Sequence, residues 1–224
     1  MTKTTGFVIP QKTIGFRGKK QKLFLFFKFY DKIYIETKGM KYMIRTKDIL
    51  DEKDPRVRAK NTDIEFPLCS EYKNIIPEML KHLRYSQIEK LSKKYDLRPG
   101  MGLAAPQLGI NKNFFVVCYE VKEGVFEDYI LINPKIISYS EEMIYAGEGE
   151  GCLSVNREVE GIVPRHARIT VEAYDMEGKL HKYRVREDLA IAFQHELDHL
   201  NGILFVDYID SKDPYKNADL YREI

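Results

Sequence analysis

The sequence predicts an α+β fold in which mixed or antiparallel sheets pack around one central helix. Residues 187–202 place apolar side chains at helical spacing and end on a glycine, which is typical of a helix. Residues 113–121 and 129–132 have the apolar composition of strands, and residues 167–185 alternate on both sides of a turn, as a hairpin does. Strands joined by hairpins, with few helices between them, indicate the α+β class.

Residues 1–42 differ in composition from the rest of the chain. They contain ten Lys and Arg but only two Asp and Glu, so their net charge is +8. They lack the long apolar region of a signal peptide and the arginine and serine content of a transit peptide. We therefore predict a basic extension outside the native fold, with Met40 or Met43 as the true start of translation. The alternative is a basic arm that contacts an anionic partner such as ribosomal RNA.

Residues 43–224 are predicted to form one domain, which is long enough to bury a sizeable core. The 224-residue chain has a net charge of +2, so this part carries −6. A mildly acidic domain argues against stable nucleic-acid binding, and no apolar run is long enough to span a membrane. Three cysteines argue against a disulfide framework and indicate a reducing compartment, which we expect to be the cytoplasm. The oligomeric state is not predicted by the sequence.

Two helices are expected before the strands. Ser70 is the predicted N-cap of a helix over residues 71–84. A second helical segment should end near Tyr95, before the glycine- and proline-rich break at residues 99–102. The predicted inward side chains of the first helix are Ile75, Ile76, Met79, Leu80 and Leu83.

Several features of the strands and the tail that follow are also predicted. The strand over residues 129–132 should stop at Asn133 and Pro134, a pair typical of turns. Cys118 lies inside an apolar run and is predicted to be a buried hydrophobic side chain. The polar tail around residues 213–214 should lie on the surface. The histidines predicted to lie on the surface are His82, His166 and His181.

The helix over residues 187–202 contains the pattern HExxH. His195 and His199 are four residues apart, so their imidazoles project from one face about one turn apart and can bind one metal ion. Glu196 lies beside the first histidine, where it can reach a reacting water without binding the metal. The apolar stripe of this helix is complete without the histidines, which are therefore not needed as core. That stripe consists of Leu189, Phe193, Leu197 and Leu200.

Two histidines leave a metal ion short of protein ligands, so a third is expected. Cys152 is the best candidate because it follows a glycine-rich stretch that lets backbone approach a ligand closely. A thiol that binds a divalent cation is deprotonated. The competing third ligands are His166, Glu148 and Glu150, and residue spacing alone favours Cys152 only modestly.

Three stretches of the sequence together resemble the motifs of peptide deformylases. Residues 100–107 (Gly-Met-Gly-Leu-Ala-Ala-Pro-Gln) taken alone are only a tight turn with one polar amide, but they resemble the first motif. Residues 150–154 (Glu-Gly-Cys-Leu-Ser) resemble the second, and residues 194–199 (Gln-His-Glu-Leu-Asp-His) resemble the third. Their order also agrees, and the linker between the first two motifs is similar to that of the Gram-positive and mollicute subtype.

The resemblance implies an enzyme of the protein biosynthesis machinery. It implies a metal site made by Cys152, His195 and His199, with Fe²⁺ as the expected ion and Ni²⁺, Co²⁺ or Zn²⁺ as substitutes. It implies hydrolytic removal of the N-formyl group from nascent polypeptides that begin with formyl-methionine. Glu196 is then the expected general base and acid. The expected donors to the formyl oxygen are the Leu153 backbone N–H and the Gln107 amide.

Substrate contacts are also expected. Backbone near the first two motifs should pair with the peptide as an added strand, and an apolar pocket should hold the methionine side chain. The residues predicted to pair with the peptide are Gly102, Gly149, Glu150 and Gly151. The residues predicted to line the methionine pocket are Met101, Ile191 and Ala192. A transient ribosome contact is the further partner considered.

Two other classes of protein share parts of this pattern. A zinc peptidase uses HExxH but usually takes His or Glu as the third ligand, so a cysteine at the metal argues against its common forms. A structural metal module would close its site with four protein ligands, whereas an enzyme leaves one position open.

Overall fold

The computed structural model describes residues 43–224, and the predictions for residues 1–42 lie outside this range. Within it the chain forms three α-helices and eight β-strands in one compact unit. In chain order the elements are α1 (Ser70–Gln87), α2 (Glu89–Tyr95), β1 (Gly102–Ala104), β2 (Phe114–Lys122), β3 (Val125–Tyr139), β4 (Met143–Tyr145), β5 (Arg165–His166), β6 (Arg168–Tyr174), β7 (Leu180–Arg186), α3 (Glu187–Leu200) and β8 (Arg222–Glu223).

The strands form two sheets. The larger sheet has the order β1-β2-β3-β6-β7, and all its neighbours are antiparallel. The smaller sheet has the order β5-β4-β8, in which β4 is antiparallel to β5 and parallel to β8. One mixed and one antiparallel sheet with few helices confirm the predicted α+β class.

Strand β2 is buried on both faces of the larger sheet. Because successive strand residues point to opposite faces, Phe114 and Val116 pack with α1, whereas Phe115 and Val117 pack with α3. The helix with the two histidines thus lies against one face of the larger sheet. On another side of α3, Ile191 packs in a smaller buried cluster with Ile144 of β4 and with Ala167. The helix therefore contacts both sheets, and its predicted central position is confirmed.

Two elements are clearly longer than predicted, α1 and β3, and β3 already begins at Val125. Helix α1 begins at Ser70 itself, Cys69 is the N-cap, and the helix continues to Gln87. Strand β3 passes through Asn133 and Pro134, where its register with β6 shifts. The Asn133 side chain exchanges two hydrogen bonds with the backbone of Ile64, at 2.8 and 2.9 Å. This tertiary contact holds the turn-forming pair inside an irregular strand.

The surface predictions were partly wrong. His82 is fully buried in α1, with Nδ1 3.0 Å from the Ile44 carbonyl oxygen. His166 and His181 are partly exposed, as expected. The polar tail ends in β8, whose pairing with β4 gives it regular structure. Cys118 is fully buried, as predicted.

Candidate metal centre

Helix α3 turns its apolar stripe toward the larger sheet and its two motif histidines away from it. Phe193, Leu197 and Leu200 pack in the sheet cluster, which leaves the histidines free of that packing. The helix ends as predicted: Gly202 has φ 72°, and a Cβ there would lie 2.6 Å from the Arg58 carbonyl oxygen. The chain therefore stops the helix soon after its second histidine.

A cysteine from a distant loop meets the two histidines of this helix. The ligand atoms of Cys152, His195 and His199 all lie within 4.8 Å of one another, and all three residues are buried. Cys152 Sγ is 3.3 Å from His199 Nε2. Two of the other third-ligand candidates do not join this group. His166 Nδ1 instead contacts the Ser140 carbonyl oxygen at 2.7 Å, and Glu148 is exposed.

Glu150, the remaining candidate, orients a histidine instead. Its Oε2 is 2.8 Å from His195 Nδ1, and because a carboxylate only accepts, Nδ1 carries the proton. Nε2 is therefore the nitrogen that faces the cysteine and the second histidine. Burial lowers the pKa of His195, but the hydrogen bonds with Cys152 and Glu150 outweigh it and raise that pKa, so Nε2 loses its proton when a metal ion binds. Arg165 donates to both oxygens of Glu150, at 2.7 and 2.9 Å, and to Asp198 at 2.5 Å. Asp198 thus binds Arg165.

Burial and hydrogen bonds shift the pKa values of this cluster. Burial by itself raises the pKa of Glu150, but the hydrogen bonds from Arg165 and His195 outweigh it and lower that pKa to about 2. Burial raises the pKa of Glu196 to about 7. Burial also lowers the pKa of His199, which favours the neutral imidazole that a metal ligand requires.

The Gln107 side chain is held with its amide nitrogen toward the cysteine. Its Oε1 accepts a hydrogen bond from the Ala104 backbone N–H at 2.8 Å, which fixes the orientation of the amide. Its Nε2 is 3.2 Å from Ser154 Oγ and 3.6 Å from Cys152 Sγ. The tight turn of the first motif therefore brings a hydrogen-bond donor to the cluster.

Glu196 is buried next to the histidines. Its Oε2 has no hydrogen-bond partner among the described residues. Gly102 lies so close that a Cβ built there would be 2.2 Å from Glu196 Oε1. A glycine is needed at this point because any side chain would displace the carboxylate.

A cavity of about 360 Å³ opens beside these groups. Apart from His199, every residue predicted for the site borders it, including the residues expected to contact substrate. The sequence reasoning missed Arg98 and Asp188, which also line the cavity, and Arg165 behind it. No local pattern marks Arg98 or Arg165, because their hydrogen-bond partners are distant in sequence.

The family model of polypeptide deformylases matches residues 46–215. The chain belongs to the peptide deformylase family. A peptide deformylase of Macrococcus caseolyticus is 49% identical over 175 residues, covering 78% of this chain and 95% of the relative. One of Oceanobacillus iheyensis is 47% identical over 173 residues, covering 77% and 94%. The curated relatives come mostly from Gram-positive bacteria, in agreement with the predicted subtype.

Solved peptide deformylases share the fold. The crystal structure of the Thermotoga maritima enzyme has a TM-score of 0.58 and 32% identity, and covers 75% of this chain and 99% of that one. A plant peptide deformylase has a TM-score of 0.62 and 30% identity, covering 78% and 84%. These likenesses confirm the family predicted from the three motifs.

Peptide deformylases are metal-dependent hydrolases. They remove the N-formyl group from the N-terminal formyl-methionine of newly synthesised polypeptides and release formate, and this is the reaction of the chain. Among residues 43–224, no helix is long and apolar enough to cross a membrane.

Proposed function

We propose that Cys152, His195 and His199 hold the metal ion of this peptide deformylase. The observation that carries the proposal is the meeting of one thiol and two imidazoles within 4.8 Å. One sulfur and two nitrogen donors suit a divalent transition metal, and because Glu150 binds His195 Nδ1, Nε2 is the nitrogen left to bind the ion. Three protein ligands leave a position open, as expected for a catalytic rather than a structural site.

We propose Fe²⁺ as the native ion. A bound divalent ion supplies Lewis acidity, which lowers the pKa of water and polarises the formyl carbonyl. A thiolate and two imidazoles also suit Ni²⁺, Co²⁺ and Zn²⁺. Anaerobic purification followed by metal analysis identifies the ion, and a predominance of zinc in protein purified without added metal would contradict the assignment.

Glu196 is the general base and acid in this proposal. It takes a proton from the water that attacks the formyl carbon, and it delivers a proton to the nitrogen of the breaking C–N bond. The products are formate and a free amino terminus. A pKa of about 7 suits a carboxylate that must accept and return a proton near neutral pH.

The formyl oxygen gains negative charge as the carbonyl carbon becomes tetrahedral. The Leu153 backbone N–H and the Gln107 amide are the proposed donors to this oxygen. Gln107 suits the role because the Ala104 N–H already occupies its Oε1, so its NH₂ group faces the cysteine. The orientation of the Gln107 amide is fixed before substrate binds, which reduces the reorganisation required during the reaction.

The cavity is the proposed site for the formyl-methionyl end. Met101, Ile191 and Ala192 supply apolar wall for the methionine side chain. The peptide backbone would pair with Gly102 and with residues 149–151 as an added strand. Main-chain pairing is independent of side chains, so it suits an enzyme that processes many different polypeptides.

The setting we propose is the cytoplasm, in transient contact with ribosomes that release nascent chains. The cysteines of residues 43–224 are all free, which suits a reducing compartment. Residues 1–42 stay the predicted basic extension that precedes the catalytic domain of residues 43–224 in the sequence.

The decisive experiment replaces Glu196 with alanine. Turnover of a short formyl-methionyl peptide should fall by roughly 10²–10⁴-fold while the metal content stays at the wild-type level, because the residue moves protons and binds no metal. Replacement of the exposed Glu148 with alanine is the matched control and should leave turnover unchanged. Wild-type turnover in metal-loaded Glu196→Ala would show that another group moves the protons.

A further inference from the structure

The Arg98 side chain binds the loop of residues 152–156, which follows the glycine-rich stretch. Its Nη2 donates to the carbonyl oxygens of Cys152 and Val155, at 3.0 and 3.1 Å. Its Nη1 donates to the carbonyl oxygen of Leu153 at 3.3 Å and to Asn156 Oδ1 at 2.5 Å. A single guanidinium therefore holds three backbone carbonyls of one short loop.

These contacts determine where the loop's N–H groups point. In a trans peptide, the carbonyl of one residue and the N–H of the next point in opposite directions. When Arg98 holds the Cys152 carbonyl, the Leu153 N–H must point away from the guanidinium. When Arg98 holds the Leu153 carbonyl, the Ser154 N–H must also point away, and that N–H lies 3.4 Å from Cys152 Sγ.

We propose that Arg98 is a positioning residue for the deformylation reaction: it aims the Leu153 N–H at the formyl oxygen and the Ser154 N–H at the Cys152 sulfur. The inference rests on the proposed role of the Leu153 N–H. Arg98 acts through the two peptide groups and touches neither the metal ligands' donor atoms nor the reacting atoms.

The chemistry of the side chain explains why arginine suits this task. A guanidinium carries five N–H donors in a rigid plane, so it can bind several carbonyls in fixed directions. A lysine ammonium at the same place has freely rotating donors on a flexible stem and would hold fewer of the carbonyls. Gln107 also binds this loop, through Ser154 Oγ at 3.2 Å, so two side chains hold it.

The first test compares kinetics of Arg98→Ala and Arg98→Lys with those of Arg157→Ala. Arg157 is a matched control because it lies just beyond the same loop, is largely exposed, and within residues 43–224 pairs only with Glu52, at 2.8 Å. We expect Arg98→Ala to lower kcat by about 10²-fold at full metal content, the loss typical of a misplaced catalytic group, with KM unchanged. Arg98→Lys should show a smaller loss in kcat, and Arg157→Ala none.

A second readout does not depend on activity. In zinc-loaded protein, the amide NMR signals of Leu153 and Ser154 should shift or broaden in Arg98→Ala and stay unchanged in Arg157→Ala. Millimolar guanidinium should restore part of the kcat of Arg98→Ala, because the ion can occupy the vacated place and bind the same carbonyls. A role in overall stability alone would not be rescued in this way.

The outcomes separate this inference from the function on which it rests. The inference would be overturned if Arg98→Ala had wild-type kcat and unchanged amide signals. If the alanine variant does not fold, the same result in Arg98→Lys would overturn it. Either result would leave the proposed metal site and the role of Glu196 unaffected. Altered amide signals with wild-type kcat would overturn it too, and would show that the Leu153 N–H is not a donor to the formyl oxygen. A kcat loss matched by an equal loss of bound metal would assign Arg98 to metal retention instead.

Discussion

Gly102→Ala should impair catalysis through one steric contact. The added Cβ would lie 2.2 Å from Oε1 of Glu196 and 2.6 Å from its Cδ, whereas ordinary van der Waals contact begins near 3.4 Å. The backbone at Gly102 cannot easily retreat, because β1 pairs with Val117 of the neighbouring strand. Glu196 lies in the middle of the buried helix α3, so its carboxylate is the group that must move.

The size of the effect follows from that displacement. Restoring normal contact requires the carboxylate to shift by roughly 1 Å, and a misplacement of this size in a catalytic group costs about 10²-fold in rate. That loss corresponds to about 2.7 kcal/mol of transition-state stabilisation. The metal content should not change, since the substitution touches none of the three proposed ligands.

The assay follows formate release from a short formyl-methionyl peptide, with metal content measured on the same sample. Gly147→Ala is the matched control: its Cβ would lie 2.4 Å from Oε1 of Glu223, but that side chain is exposed and can rotate away. The control should keep wild-type activity. Wild-type turnover in metal-loaded Gly102→Ala would refute the claim that the Glu196 carboxylate must occupy this position.

Four further predictions follow from the site. Cys152→Ala should lower metal affinity and His166→Ala should not, as measured by competition with a chelating dye; the reverse result would reassign the third ligand. In metal-free protein, Glu150→Gln should be less stable to urea than wild type above about pH 4.5. That difference should shrink as the pH falls toward 2, because a lowered carboxyl pKa stabilises the fold only while the group is ionised. The iron-loaded enzyme should lose activity in air faster than the nickel-loaded enzyme, because iron is redox-active and the freed thiol oxidises; equal half-lives would contradict this. A chain that begins at Met43 should fold, bind metal and deformylate as the full chain does, whereas loss of folding would assign residues 1–42 a structural role.

Local sequence patterns were sufficient to predict several elements. The apolar stripe of α3, with its terminal glycine, predicted that helix because each signal lies within a few residues of the next. The alternation of residues 167–185 predicted the β6–β7 hairpin for the same reason. The three ordered motifs predicted the family, and the chain's relatives confirm it.

Other elements were decided by contacts between distant segments. Asn133 and Pro134 are typical of a turn, yet they stay inside β3 because Ile64 binds the Asn133 side chain. His82 has a polar side chain on a helix, yet tertiary packing buries it against the Ile44 carbonyl. In both cases a partner far away in sequence outweighed the local preference.

The sequence by itself determined the α+β class, the histidine helix and the family. It left Cys152 in competition with Glu148, Glu150 and His166, because spacing along the chain does not say which side chains meet. Only the tertiary structure brought the cysteine to the histidines and showed the bonding of Arg165 and Arg98. The periodicity that predicts a helix or strand can be read from residues close together in sequence. An ion pair or a hydrogen bond to a distant carbonyl depends instead on how the chain between the two partners folds.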